Sequence, residues 1–331
     1  MAGASKAARR TGQTAQTAQI GAELAAVPKT SLFRRMRGQK QLMLMSLPIL
    51  IYVALFSYYP IWGWTMAFQN YKPARSFAQQ EWVGFKQFKF LFSDDTFLGV
   101  LRNTIGMSLI NMVSGFVTAI VFAILLNEIK HKLYKRSIQT ISYLPHFLSW
   151  IIVTGIVANS LSVDDGIVNT VLMKLGLIHS PVLWLSEPHY FWGIVGASHV
   201  WKEIGWNAII YLAAITSIDP SLYEAAEIDG ANRYHKMLYI TLPGIRSIVV
   251  ILLIMNLGWI LEAGFEVQYL LGNGVVIDWS QTIDIFVLKY GLQVGNYSLA
   301  TAAGIFKTVV SITLIVAANT IAKRFGEDRL I

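Results

Sequence analysis

Long apolar stretches alternate with short polar connections along most of the chain. Runs of the length a helix needs to cross a bilayer, about 18 residues or more, occupy residues 42–68, 100–128, 137–160, 189–212, 245–271 and 299–322. The pattern predicts an all-α, polytopic membrane protein with about six transmembrane helices. Pro48 and Pro60 are expected to bend the first span, and Tyr58, Tyr59, Trp62 and Trp64 fall where an interfacial aromatic belt would lie. The third span contains Pro145. The fourth is polar for a membrane helix and carries Lys202, Glu203 and Asn207. The fifth contains Glu262 and Glu266.

Residues 1–40 break the pattern. They are rich in Ala, Thr, Gln and Gly with scattered Lys and Arg, and no apolar core follows at signal-peptide distance. They read as a basic, disordered cytoplasmic tail ahead of a transmembrane domain over 41–331. The second departure lies between the fourth and fifth spans, where residues 217–244 are polar and helix-prone. Asp219-Pro220 reads as an N-cap followed by proline at the first helical position. Gly230 reads as the corner that ends this short helix. Ala231 to Ile240 can form a second one, with Leu242-Pro243 stopping it before the next span. Asp229 is a candidate cap for that second helix, or a partner contact. The product is a compact elbow whose alanines permit close approach.

Composition agrees with the pattern. The chain is 54% hydrophobic and 14% charged, with a mean hydropathy of +0.50, where soluble domains carry about a quarter charged residues. The net charge of +8 is not a nucleic-acid signature, because the basic residues sit beside membrane segments. They report topology and contact with anionic lipid instead. Lys and Arg number 18 in the N-terminus, residues 129–136, the elbow connection with Arg246 just beyond it, and the C-terminus, against 6 in the other three connections. The positive-inside rule therefore puts both termini and the elbow in the cytoplasm. Cysteine is absent, and His131, His179 and His199 lack metal-ligand spacing. No Gly-x-x-x-x-Gly-Lys-[Ser/Thr] run exists to cradle phosphates.

Glu224, Ala225, Ala226, Gly230, Ile240, Leu242 and Pro243 stand at the spacing of Glu-Ala-Ala, three residues, Gly, nine residues, Ile, one residue, Leu-Pro. This resembles the cytoplasmic signature of permease subunits of binding-protein-dependent ABC importers. The resemblance implies that the elbow is a coupling helix docking on an ATPase subunit, with Glu224, Ala225, Ala226, Asp229, Gly230, Leu242 and Pro243 at the contact. It also implies a non-catalytic chain with no cofactor of its own. ATP and Mg would be bound by two partner ATPase subunits, beside a second permease subunit and an extracytoplasmic solute-binding protein in a bacterial inner membrane.

Cargo is less directly written. Ionisable residues within spans face a bundle interior or water. Glu262 and Glu266, four apart, are expected on one helix face with Trp259 and Tyr269 nearby. Trp201, Lys202, Trp206 and Asn207 form a similar aromatic and polar stretch in the fourth span. Aromatic faces beside hydrogen-bonding groups suit sugar rings; interfacial tryptophans and interhelical polar contacts are the structural alternative. Trp201 to Asn207 also resemble a subgroup of carbohydrate permeases that handle oligo- or polysaccharides, including acidic ones such as alginate. Lys202 would suit an acidic saccharide, whereas Glu262 and Glu266 would repel one. The elbow does not identify cargo, so an importer of amino acids or peptides is the alternative. A secondary transporter would leave the elbow unexplained. A glycosyltransferase resting on Asp94-Asp95 or Asp164-Asp165 would lack a domain to hold its nucleotide.

Overall fold

The computed structural model describes residues 39–324. All but two of the residues assigned to the expected tail, 1–40, lie outside that range. The chain divides into two units at Gly63 and Trp64. Within the first, α1 (Lys40–Val53) passes into a π turn (Ala54–Tyr58), and a 3-10 helix (Tyr59–Phe68) carries the helical path across the division. Pro48 lies within α1, and Pro60 follows directly on the π turn.

The second unit begins with a small hairpin, β1 (Gln69–Asn70) against β2 (Glu81–Trp82), antiparallel with Gln69 opposite Trp82. Helices follow in order: α2 (Lys86–Ser93), α3 (Asp95–Glu128), α4 (Lys132–Tyr143), α5 (Trp150–Ser160), α6 (Ile167–Lys174) and α7 (Pro188–Thr216). Then come α8 (Pro220–Ile228), α9 (Arg233–Lys236), α10 (Leu242–Gly244), α11 (Arg246–Gly258), α12 (Phe265–Leu271), α13 (Ile277–Ser280), α14 (Ile283–Leu288) and α15 (Tyr297–Arg324).

Three of these paths are long and apolar enough to cross a membrane unbroken: Lys40–Phe68, α3 and α15. Two more form bent pairs, Lys132–Phe147 with α5 at 104° and Arg233–Gly244 with α11 at 58°. α7 has 29 residues but a polar middle. Together they supply one element for each of the six expected spans. The third span is a corner rather than a rod. Pro145 sits in a 3-10 turn, Leu148 is extended, and Ser149 accepts the Ile152 N–H to start α5 afresh.

α3 is the spine. Phe97 and Val100 pack with Phe286, Leu299 and Ala303; Met107 packs with Phe191, Val267 and Leu271; Ala119 and Ala123 pack with Ala208, Tyr211 and Ile245. Small residues set the α3–α7 distance, since a Cβ at Gly106 would lie 2.6 Å from the Trp192 ring and one at Gly196 would lie 2.7 Å from Ile110. Close backbone approach through small residues is how helices pack where water supplies no driving force. At Gly205 the approach is tighter still, since a Cβ there would strike the Ser142 carbonyl oxygen.

Two expectations about the fifth span are corrected. The second arm of the elbow does not stop at Leu242-Pro243; it runs through them to Gly244 and breaks at Ile245, bending by 58° into α11. A π turn over Met237–Thr241 immediately precedes Pro243 and widens the backbone where the ring would otherwise strike a carbonyl. The same pairing of π turn and proline occurs at Pro60. The helix does break further on: α11 ends at Gly258, residues 259–264 are non-helical with Gly264 at φ +91°, and α12 begins at Phe265. Glu262 and Glu266 therefore do not share a helix face. The irregular backbone is possible because distant side chains satisfy it. Asn111 Nδ2 donates to Ala263 O at 3.2 Å, and the Gln268 amide donates to the same oxygen. Downstream, Asn103 Nδ2 donates to Asp278 O at 2.8 Å and Gln281 O at 3.1 Å, and Thr104 Oγ1 accepts the Ile283 N–H at 2.9 Å.

Candidate functional site

The elbow is built by short-range capping. Asp219 Oδ1 accepts the Ser221 N–H at 2.9 Å, and Pro220 occupies a first-turn position that needs no donor. That hydrogen bond to the Ser221 backbone, with a smaller one to its side chain, holds the Asp219 carboxyl below the usual carboxylate range. α8 ends in a Schellman arrangement: Gly230 N–H donates to Glu227 O at 3.1 Å and Ala231 N–H to Ala226 O at 2.8 Å. Gly230 stands at φ +77°, a conformation any Cβ would strain. Asn232 then caps α9, its Oδ1 accepting the His235 N–H at 2.9 Å. Asp229 is the C-cap residue of the first arm, not the cap of the second, because the reversal needs Gly230 and Ala231 before a new helix can begin.

Two contacts hold the arms together: Tyr223 hydroxyl with Thr241 Oγ1 at 3.0 Å, and Lys236 Nζ with Glu227 Oε2 at 3.1 Å. Glu224, Ala225, Asp229, Gly230 and Pro243 are exposed, while Ala226 and Leu242 are half-buried. Ala226, Asp229 and Gly230 line a groove of about 370 Å³ with Ala231, His235 and Tyr239. Ile228 is 87% exposed and Tyr239 74%. Such an apolar, backbone-rigid surface suits a protein partner.

A second feature lies between α3, α7 and α11. A cavity of about 230 Å³ is lined by Ser108, Asn111, His199, Asn207, Asn256 and Glu262, with Trp259, Tyr211 and Phe116 among its apolar walls. Of the substrate-path candidates it takes Asn207, Trp259 and Glu262. Glu262 meets Lys307 Nζ at 3.3 Å, and Lys307 also meets Asp284 Oδ1 at 2.7 Å.

The remaining candidates go elsewhere. Lys202 is buried; its Nζ donates to His146 O at 2.6 Å, meets Glu203 at 3.2 Å and lies 5.3 Å from the Trp150 ring. Glu203 in turn meets His146 Nδ1 at 2.7 Å. Trp206 stacks on the His146 ring with centroids 4.3 Å apart. This group ties the Pro145 corner to α7. Trp201 lines a separate apolar groove with Ile156, Val157 and Ile194. Glu266 is exposed, and Tyr269 stacks on Phe265 at 5.1 Å.

Sequence reasoning missed Ser108, Asn111 and Lys307. Lys307 had a readable signal, a lone cation within the otherwise apolar last span. Ser108 and Asn111 had none, because isolated small polar residues are ordinary in a membrane helix.

A family model, the binding-protein-dependent transport system inner membrane component, matches residues 115–327. The chain belongs to this family. Among relatives, the polygalacturonan/rhamnogalacturonan transport system permease protein YteP of Bacillus subtilis is 43% identical, the match covering 88% of this chain and 90% of that one. The trehalose/maltose transport system permease protein MalF of Thermococcus litoralis is 27% identical over 82% of this chain and 90% of its own length. A chain in the crystal structure of a bacterial alginate ABC transporter, in complex with its alginate pentasaccharide-bound periplasmic protein, superposes with a TM-score of 0.82. It is 38% identical, covering 89% of this chain and 98% of that one. The protein is thus a multi-pass membrane permease of the ABC importer class.

Proposed function

We propose that this permease forms one half of the translocation pathway of an ATP-driven importer of oligo- or polysaccharides, acidic ones in particular. The observation that carries the coupling is the elbow. Its signature residues present a rigid exposed surface at the end of α7, and α11 leads from it to the cavity. Partner ATPase subunits would bind ATP and Mg and move this surface as they close, while the chain itself catalyses nothing. A second permease subunit completes the pathway, and an extracytoplasmic binding protein delivers cargo. The complex sits in the inner membrane with both termini cytoplasmic, as the charge bias requires. A rigid elbow transmits such a movement without needing a continuous deformation of the spans.

Two relatives support acidic cargo: polygalacturonan and alginate are both polymers of uronic acids, and both proteins align over nearly the whole chain. The charge conflict expected from the glutamates is reduced, since Glu266 lies outside the cavity and Glu262 shares Lys307 with Asp284. The test is reconstitution with co-purifying partners, reading ATP hydrolysis stimulated by binding protein loaded with different saccharides. Oligogalacturonate or alginate oligomers should stimulate, and maltose and amino acids should not. Stimulation by amino acids or peptides alone would replace the cargo; absence of an associated ATPase would end the importer reading.

A further inference from the structure

The connection between the first span and α3 carries Lys72, Arg75, Lys86 and Lys89, against a single Lys or Arg in each of the two other connections on that side. On the orientation proposed above this side is extracytoplasmic, where the positive-inside rule disfavours cations. Topology therefore does not account for them. Lys86 and Lys89 have no ion-pair partner among the described residues.

Both lysines stand on α2, and α2 lies at membrane depth. Phe92 packs edge-on against Phe97 of α3 and Phe306 of α15, with ring centroids 6.2 Å and 5.3 Å apart. α15 has 28 residues, a length of about 42 Å, against a hydrocarbon core of about 30 Å. Phe306 stands about 14 Å along that helix. Even with the whole excess of about 12 Å on the side of α2, Phe306 is therefore at or inside the hydrocarbon boundary. Its contact with Phe92 puts α2 where headgroups meet acyl chains.

The helix is patterned for that depth. Leu91 is buried against the protein. Phe85, at the N-cap, and Phe92, seven positions on, share one side of the helix and are exposed, as is Trp82 just before it. Lys86 and Lys89 form the adjoining row and are exposed too. Helices that lie in the interface plane have this arrangement: rings enter the acyl boundary while ammonium groups reach the phosphates.

We propose that α2, with Trp82 and Phe85, is an interfacial anchor that holds an anionic phospholipid, Phe85 and Phe92 meeting its acyl chains and Lys86 and Lys89 its phosphate. Two ammonium groups beside exposed rings fit a ligand that brings negative charge and hydrocarbon together; a soluble anion would leave the rings uncovered. The anchor braces the neighbouring ends of α3 and α15 against the bilayer. It serves whatever the cargo is, so it stands apart from the saccharide reading.

The experiment uses the complete complex reconstituted in vesicles, with exposed cysteines of the partner subunits replaced by serine. This chain has no cysteine, so Phe85→Cys carries a single environment-sensitive fluorophore. Its quenching is compared in vesicles of fixed composition in which the acyl chains of either phosphatidylglycerol or phosphatidylcholine are brominated. Both lipids should quench it. Phosphatidylglycerol should be enriched beside it about fivefold or more, the scale of one to two lysines at an anionic surface. Lys86→Gln with Lys89→Gln should remove the enrichment and keep the quenching by phosphatidylcholine. Inorganic phosphate, added at constant ionic strength, should change neither. A fluorophore quenched by aqueous iodide and by neither lipid overturns the proposal. So does an enrichment that survives loss of both lysines, or one that phosphate abolishes. Shielding of the fluorophore from lipid by added binding protein would overturn it in favour of a protein partner. Should Phe85→Cys not assemble, Trp82→Cys carries the fluorophore under the same criteria.

Discussion

The elbow and the break that follows α11 are both irregular, glycine-marked backbone, yet they are held by opposite means. In the elbow the capping hydrogen bonds close within a few residues: Asp219 to Ser221, Gly230 to Glu227, Ala231 to Ala226 and Asn232 to His235. Beyond α11 the bonds reach from α3 across more than a hundred positions: Asn111 to Ala263 in the break itself, and Asn103 to Asp278 and Gln281 and Thr104 to Ile283 downstream of it. A surface that must keep its shape while a partner moves is best specified locally. A cavity floor within a membrane has no water to satisfy it and must borrow partners from the spine. The first kind of structure can move as a rigid body; the second is fixed only while α3 stays against it.

The largest expected effect follows from that dependence. Asn103→Leu removes the amide that serves two carbonyls at a site 1% exposed, leaving Gln281 O without its side-chain donor. Asp278 O keeps Arg102 Nη2, at 3.1 Å. The cost should be about 2–3 kcal/mol, read as an earlier thermal unfolding transition in detergent. Residues 277–283 should lose amide protection first, while the elbow remains protected. A variant as stable as the parent would mean that the break supports itself locally, and the contrast between the two regions would collapse.

Gly230→Val tests the other side. Nothing lies within 4 Å of a Cβ built there, so the penalty is torsional alone, about 1–2 kcal/mol for an L-residue at φ +77°. Gly230→Asn should cost less, because asparagine tolerates this region. Global stability should change little, whereas stimulation of ATP hydrolysis by loaded binding protein should fall for Val and largely survive for Asn. Equal activity in both variants would show that the corner does not need its present geometry to couple.

The same division explains what could be read from the sequence. Asp219-Pro220 and Gly230 announced the first arm because caps are local chemistry, and the apolar runs announced the spans. Asp229 was open to misreading because a Schellman turn consumes two more residues than a simple corner, leaving Asn232 as the cap. Pro243 looked like a stop because the π turn ahead of it has no sequence signature of its own. The break at 259–264 was hidden for a different reason. Gly258 and Gly264 permit it, but its partner Asn111 lies on another span, and only the fold brings them together. The contacts of Lys202 were invisible for the same reason, because its partners, His146 and Trp150, come from the Pro145 corner.

The smallest effect compares two caps inside the elbow itself. Asp219 titrates and Asn232 does not, so only the first arm should respond to acid. The folded state holds the Asp219 carboxyl below its ordinary value of 3.8, through the Ser221 N–H. The stabilisation is therefore complete above that ordinary value and is lost as the pH falls through the lowered folded one. Glu227→Gln serves as the background, because it removes the exposed carboxylate that pairs with Lys236 across the two arms. In it, amide protection in the first turn of α8 should weaken as the pH falls below 3.8, after correction for intrinsic exchange. The first turn of α9 should hold, since the Asn232 amide that caps it is not ionisable. Asp219→Asn should keep the cap and abolish the pH response. A response of equal size in both arms would show that acid loosens the elbow as one unit, and that its two caps are not the independent local devices their geometry describes.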